Sequence, residues 1–284
     1  DTAPTEIYTL SLHDALPILV RGLKMQPGRA DLWLTCSQCY GRLGQTEAAL
    51  AALDEALVVD PGLAAAWSAR GGVLRELHRL DEAARCYEKA LDLGADPELH
   101  RFYLASVTAA QTPAVSPRQY VEALFDDYAA DFQGHLVETL RYQGHKVLVQ
   151  PLLDAGRTYP AVLDLGCGTG LCATLIKPLA GLIDGVDVAQ EMLKQAGQRG
   201  IYRALVHDDV SHFMQATDQS YNLILAADVL GYVGDLTAVF AAARRCLAPG
   251  GEFVFTVERS VGAPVHLLPS LRYEIGRASC RERV

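Results

Sequence analysis

Two hydrophobic patterns succeed one another along this chain of 284 residues. From residue 161 onward, short and nearly continuous apolar runs alternate with stretches whose apolar residues fall three and four apart. The runs suit strands buried on both faces, and the stretches suit helices that cover them. Strands are expected over residues 161–165, 182–187, 202–206, 221–230 and 252–257. Residues 171–179, 189–199 and 236–247 supply helices, and Pro249-Gly250-Gly251 turns the chain into the last strand. Strand and helix in regular alternation predict a parallel, doubly wound α/β sheet. Ligands of such sheets sit outside the carboxyl ends of the strands.

The first third follows another rule. Shifted by 34 residues it matches itself: Pro27 with Pro61, Trp33 with Trp67, Ala49 with Ala83, Leu53 with Tyr87 and Ala56 with Ala90. This period and residue pattern resemble the tetratricopeptide repeat, a helix-turn-helix unit. Ala49 and Ala83 would let the two helices of a unit approach closely, with Trp33 and Trp67 filling the space between helices. Residues 19–110 are therefore expected to form an all-α array. It has two full repeats (28–61 and 62–95), half a unit before them (19–26) and a closing helix after (98–110). The resemblance implies a protein or peptide partner on the concave face.

The most informative run is Val162-Leu163-Asp164-Leu165-Gly166-Cys167-Gly168-Thr169-Gly170. It joins a strand to a helix through glycines at alternating positions, so that a ligand can lie against bare backbone. A dinucleotide fingerprint reads G-x-G-x-x-G and aims a helix N-terminus at a pyrophosphate. Here an acid, Asp164, precedes the loop, which favours a cationic, amine-bearing ligand. The pattern resembles the first motif of class I S-adenosylmethionine methyltransferases. That resemblance implies a Rossmann-like sheet of order 3-2-1-4-5 and a loop of Asp164, Gly166, Cys167, Gly168, Thr169 and Gly170 against the cofactor. It further implies Asp187 on the ribose hydroxyls, Val188 and Met192 beside it, and Asp209 near the adenine amine. Asp228, at the end of the fourth strand, is the candidate catalytic residue for orienting the acceptor; its plainer reading is a helix cap. The Cys167 thiol is incidental in this reading.

Thr112-Pro113-Ala114-Val115-Ser116-Pro117 marks a linker, residues 111–119. After it Val121, Leu124, Phe125, Tyr128, Ala129 and Phe132 fall at helical spacing, an apolar stripe expected to be mostly core. Phe125-Asp126-x-Tyr128-Ala129-x-x-Phe132-x-x-His135-Leu136 and Pro269-Ser270-x-Arg272-Tyr273 resemble bacterial methyltransferases that carry tetratricopeptide repeats. The resemblance makes Tyr128 a candidate lid over the cofactor, in a domain of residues 120–273. Residues 1–18 and 274–284 resemble translated sequencing-adapter DNA and are expected to stand outside the fold. The sheet would then be truncated at its C-terminal end, with the fifth strand an unpaired apolar edge.

Composition adjusts this picture little. A net charge of −9 and a pI near 5.4, with no basic cluster, argue against a nucleic-acid surface. Cys36-x-x-Cys39 lacks a second pair at zinc spacing, and His135, His145 and His207 are not spaced as ligands, so no metal is expected. No apolar run is long enough to span a membrane, and a cytoplasmic setting with reduced thiols is the default. The function expected is methyl transfer from S-adenosylmethionine to an unidentified acceptor. Two other readings stay open: a non-catalytic repeat adaptor with a relic cofactor domain, and a nucleotide-dependent oxidoreductase, which the loop spacing disfavours.

Overall fold

The structure, a computed structural model, describes residues 12–108, 111–128, 143–260 and 265–276, without the side chains of 12–15, 127 and 128. It divides into two units, residues 1–111 and 112–284.

The first unit is all helical: α1 Leu12–Met25, α2 Ala30–Arg42, α3 Thr46–Val59, α4 Ala64–Glu76, α5 Leu80–Asp92 and α6 Pro97–Val107. Helices α2 and α3 pair as one repeat and α4 and α5 as the next, as the 34-residue period requires. Ala49 and Ala83 are fully buried between paired helices. The tryptophans are only partly buried, because each turns its indole N–H to a carbonyl six residues earlier. Trp33 Nε1 donates to Pro27 O at 3.3 Å and Trp67 Nε1 to Pro61 O at 2.9 Å. Asp96 starts α6 by accepting the N–H of Leu99 at 2.8 Å, with Pro97 at the first helical position. Cys36 and Cys39 are buried in α2.

The second unit opens with α7 Arg118–Tyr128 and α8 Gly144–Ala155. A sheet follows: β1 Tyr159–Leu165, β2 Ala180–Asp187, β3 Ala204–His207, β4 Tyr221–Ala226 and β5 Leu247–Phe255. Its order is β3-β2-β1-β4-β5 and every pairing is parallel, with Asp164 opposite Gly185 on one side and Leu225 on the other. Helices α9 Leu171–Ile176, α10 Gln190–Gln198, α11 Val210–Ala216 and α12 Thr237–Cys246 connect the strands. The core lies between β1 and its neighbours and the helices: Val162, Ile183, Leu223, Leu225 and Ile176 are buried together, with Leu148 and Val149 of α8 against them. Among the described residues no helix is long and apolar enough to cross a membrane.

Several local expectations change. The fourth strand stops at Ala226, because Asp228 takes a left-handed backbone (φ 58°) and the chain turns through a short 3₁₀ segment, Leu230–Tyr232. The fifth strand starts early. Leu247 pairs with Tyr221, Pro249-Gly250-Gly251 bulges out, and Glu252 resumes pairing with Leu223. Of the stripe on α7, Val121 and Phe125 are half-buried, Phe125 against Met192, and Leu124 is exposed, while the Tyr128 side chain, Ala129, Phe132 and His135 lie outside the described residues. The linker is tied down, with Val115 bridged to Val233, Ser116 N–H donating to Tyr232 O and Asp235 N–H to Ala114 O. After β5 the chain makes a small second sheet, β6 Glu258–Ser260, β7 Val265–Leu267 and β8 Tyr273–Gly276, in the order β6-β8-β7. Ordered structure thus reaches into both segments that resemble adapter, through α1 and β8.

Candidate functional site

The site forms where β1, β2 and β4 end. The chain leaves β1 at Leu165 and passes Gly166, Gly168 and Gly170, with φ 56°, 52° and 85°, before α9 begins at Leu171. Three left-handed residues in five make a loop that ordinary side chains would strain. The loop is anchored by the Cys167 N–H donating to Val186 O at 3.0 Å and by Gly170 N–H returning to Cys167 O at 2.9 Å. Nothing lies within 4 Å of where a Gly168 Cβ would stand, so bare backbone faces open space there. Beside it the Thr169 hydroxyl is buried and has no hydrogen-bond partner among the described residues.

Two carboxylates flank the loop. Asp164 is 1% exposed, and its Oδ2 accepts the Tyr202 O–H at 2.8 Å. Burial pushes its carboxyl up to about 7 against the pull of that hydrogen bond, and the charge of Asp187 pushes the same way. Asp187 ends β2 and spans two segments: Oδ2 accepts Gly168 N–H at 2.8 Å and Oδ1 accepts Ala189 N–H at 2.9 Å. Burial raises its carboxyl too, opposed by these backbone donors. With the Val188 N–H as a third backbone donor, the Asp187 carboxylate keeps one lone-pair site for a further donor. The Cys167 thiol is buried and held protonated by that burial.

The other candidates divide by what already occupies them. The Val188 carbonyl lies 2.7 Å from His207 Nε2. Met192 is 1% exposed and packs with Ala189 and Phe125. Asp209 caps α11, its Oδ1 accepting Ser211 N–H at 2.8 Å and His212 N–H at 3.0 Å. The neighbouring Asp208 accepts from His212 Nδ1 at 2.6 Å and lies 3.7 Å from Arg118 of α7. Asp228 is braced by Thr256: the Thr256 hydroxyl donates to Asp228 Oδ1 at 2.9 Å and accepts the Asp228 N–H at 2.7 Å. Tyr128 closes α7, and its side chain lies outside the described residues.

Groups that periodicity alone does not reveal complete the rim. Asp126 of α7 accepts the Glu191 N–H of α10 at 3.0 Å. Phe125 meets the Tyr232 ring edge-on at 5.5 Å, and the Arg272 guanidinium lies over that ring, 5.2 Å from its centroid, while pairing with Glu258. Helix α7 therefore crosses the strand ends, touching the segments after β2, β3 and β4. The Pro269-Ser270-x-Arg272 run is the sequence signal for Arg272 and the Phe125-Asp126-x-Tyr128 run that for Asp126; Tyr202 and Arg199 carry none.

Residues 163–255 match the family model of a methyltransferase domain, and residues 11–71 and 64–96 match models of the tetratricopeptide repeat. A 37.1 kDa protein in transposon TN4556 of Streptomyces fradiae is 32% identical over 145 residues, 49% of this chain and 41% of that protein. A ubiquinone biosynthesis O-methyltransferase of Xanthomonas oryzae pv. oryzae is 31% identical over 107 residues, 36% of this chain and 45% of that enzyme. The chain thus spans less than half the length of these curated relatives. Among solved structures, a DhpI complex with SAH aligns with a TM-score of 0.46 at 22% identity, over 58% of this chain and 84% of that one. The chain carries tetratricopeptide repeats followed by a methyltransferase domain.

Proposed function

We propose that the second unit is an S-adenosylmethionine-dependent methyltransferase and that the repeats dock a protein or peptide partner. The observation that carries the reading is the cradle over Gly168: open backbone, a buried Thr169 hydroxyl without a partner, and the carboxylates of Asp164 and Asp187 on either side. These groups fit a molecule that brings an amine and paired hydroxyls, and they offer no cation to a pyrophosphate.

When bound, S-adenosylmethionine supplies an activated methyl group for displacement onto an O, N, S or C atom of the acceptor. The chain's own work is then to hold donor and acceptor in line and exclude water. Asp164 neutralises the amine end, and Asp187 offers its remaining acceptor site to the ribose hydroxyls. Asp209 faces the adenine end with its free oxygen while capping α11. Asp228, fixed by Thr256, orients the acceptor on the side of Tyr232 and Arg272. No residue needs to act as a nucleophile, and a base is needed only for acceptors that must lose a proton before attack.

Calorimetry with S-adenosylmethionine and S-adenosylhomocysteine on the folded chain tests this reading. Saturable heat with both is expected, and no heat with either sinks it.

A further inference from the structure

Tyr202 lies in the turn between α10 and β3, outside every motif that the cofactor reading uses. Its hydroxyl donates to Asp164 Oδ2 at 2.8 Å, and among the described residues it is the one side-chain donor to that carboxylate. Its ring is wedged between strand and loop: Cε1 sits 2.8 Å from where a Gly185 Cβ would stand, and Cε2 3.2 Å from the equivalent point on Gly170. Arg199, at the end of α10, extends the support; its Nε donates to the Thr169 carbonyl and its Cδ lies 2.9 Å from the Cβ position of Gly170. One short segment, residues 199–202, therefore props the glycine loop and supplies the one side-chain hydrogen bond that the acid preceding it has among the described residues.

The groups facing Asp164 are the Tyr202 hydroxyl, the Ala173 N–H, the Asp187 carboxylate and the thiols of Cys167 and Cys172. None is a cation. In so dry a place a carboxylate tends to take up a proton, and a protonated Asp164 could not attract an ammonium group. The Tyr202 O–H opposes this, since hydrogen bonding to the charged form favours it.

We propose that Tyr202 is a positioning residue for the cofactor: its hydroxyl favours the anionic form of Asp164 and orients it toward the amine-bearing end of S-adenosylmethionine, while its ring fixes the height of the glycine loop. The proposal rests on the cofactor reading above. Tyr202→Phe separates the two roles, because it keeps the ring and removes the donor.

Two measurements on the whole chain decide the matter. Carbon-13 NMR of the aspartate carboxyls, with Asp164→Asn to assign the resonance, follows Asp164 without any ligand. Its midpoint should move up in Tyr202→Phe, and an unmoved midpoint overturns the proposal. Calorimetry with S-adenosylhomocysteine between pH 6 and 8.5 should give about tenfold weaker binding for Tyr202→Phe at neutral pH, the scale of one hydrogen bond to a charged group. The gap should narrow as pH rises and Asp164 ionises in the variant as well. A deficit equal at every pH, or no deficit, overturns the Tyr202 proposal alone. A wild type that gives no heat overturns the cofactor reading and the proposal with it.

Discussion

The Oδ1 atom of Asp126 accepts the backbone N–H of Glu191 at 3.0 Å, so a carboxylate from α7 caps a helix that begins 64 residues later. Helix α10 has Ala189 at its own N-cap and no side-chain capping bond from it. The first turn of α10 follows directly on Asp187, and the cap from α7 thus steadies the edge of the candidate cofactor site.

Asp126→Ala should loosen the first turn of α10 by about 1 kcal/mol, the usual cost of losing a capping side chain. Asp126→Asn should retain most of the capping. Amide hydrogen exchange across residues 190–198 checks this; equal protection in wild type and the Ala variant would show that the bond contributes nothing.

Asp187→Asn should weaken S-adenosylhomocysteine binding by about 1 to 3 kcal/mol, because an amide replaces a charged acceptor. It would also turn an NH₂ group toward one of the two N–H groups now bonded, Gly168 or Ala189. Titration calorimetry measures the change. An unaltered affinity removes Asp187 from the site.

The buried acids give the ligand-free domain a particular pH dependence. Burial raises the Asp164 carboxyl to about 7 and raises Asp187 in the same direction. A folded-state value above the unfolded one means that the native form binds the proton more tightly. The resulting stability is fully present below about pH 4 and is lost as pH climbs through about 7. Asp164→Asn cannot ionise, so its urea unfolding free energy should gain on wild type between pH 5 and pH 8. A difference that stays constant over that range would contradict the shift.

In the repeats, Gly71→Ala should destabilise although alanine is the better helix former. A Cβ at Gly71 would stand 2.5 to 2.9 Å from three atoms of the Tyr87 ring. Tyr87 is 1% exposed and packed beside Tyr103 and His100, so it has no room to retreat. Overpacking of about 1 to 3 kcal/mol then outweighs a propensity gain of about 1 kcal/mol. A lower thermal midpoint of the helical signal is expected, and a raised one would show that Tyr87 yields.

The sequence by itself determined what depends on local pattern. The 34-residue period placed both repeat hairpins, since close helix packing needs small residues such as Ala49 and Ala83 at equivalent points. Buried parallel strands read as apolar runs, and alternate glycines ending a strand read as a loop with left-handed backbone. The resemblance then supplied the strand order β3-β2-β1-β4-β5 found in the sheet. What only the tertiary structure decided are matters between distant residues. The fourth strand ends early because Asp228 is held left-handed by Thr256, 28 residues away. Helix α7 crosses the strand ends, because Asp126 and Phe125 find partners at Glu191 and Tyr232. Tyr202 shows the limit most plainly: its spacing suits a strand, yet it lies in the turn before β3 with its hydroxyl on Asp164. Hydrogen bonds across such distances are set by the crossing of elements in space, which periodicity along the chain does not encode.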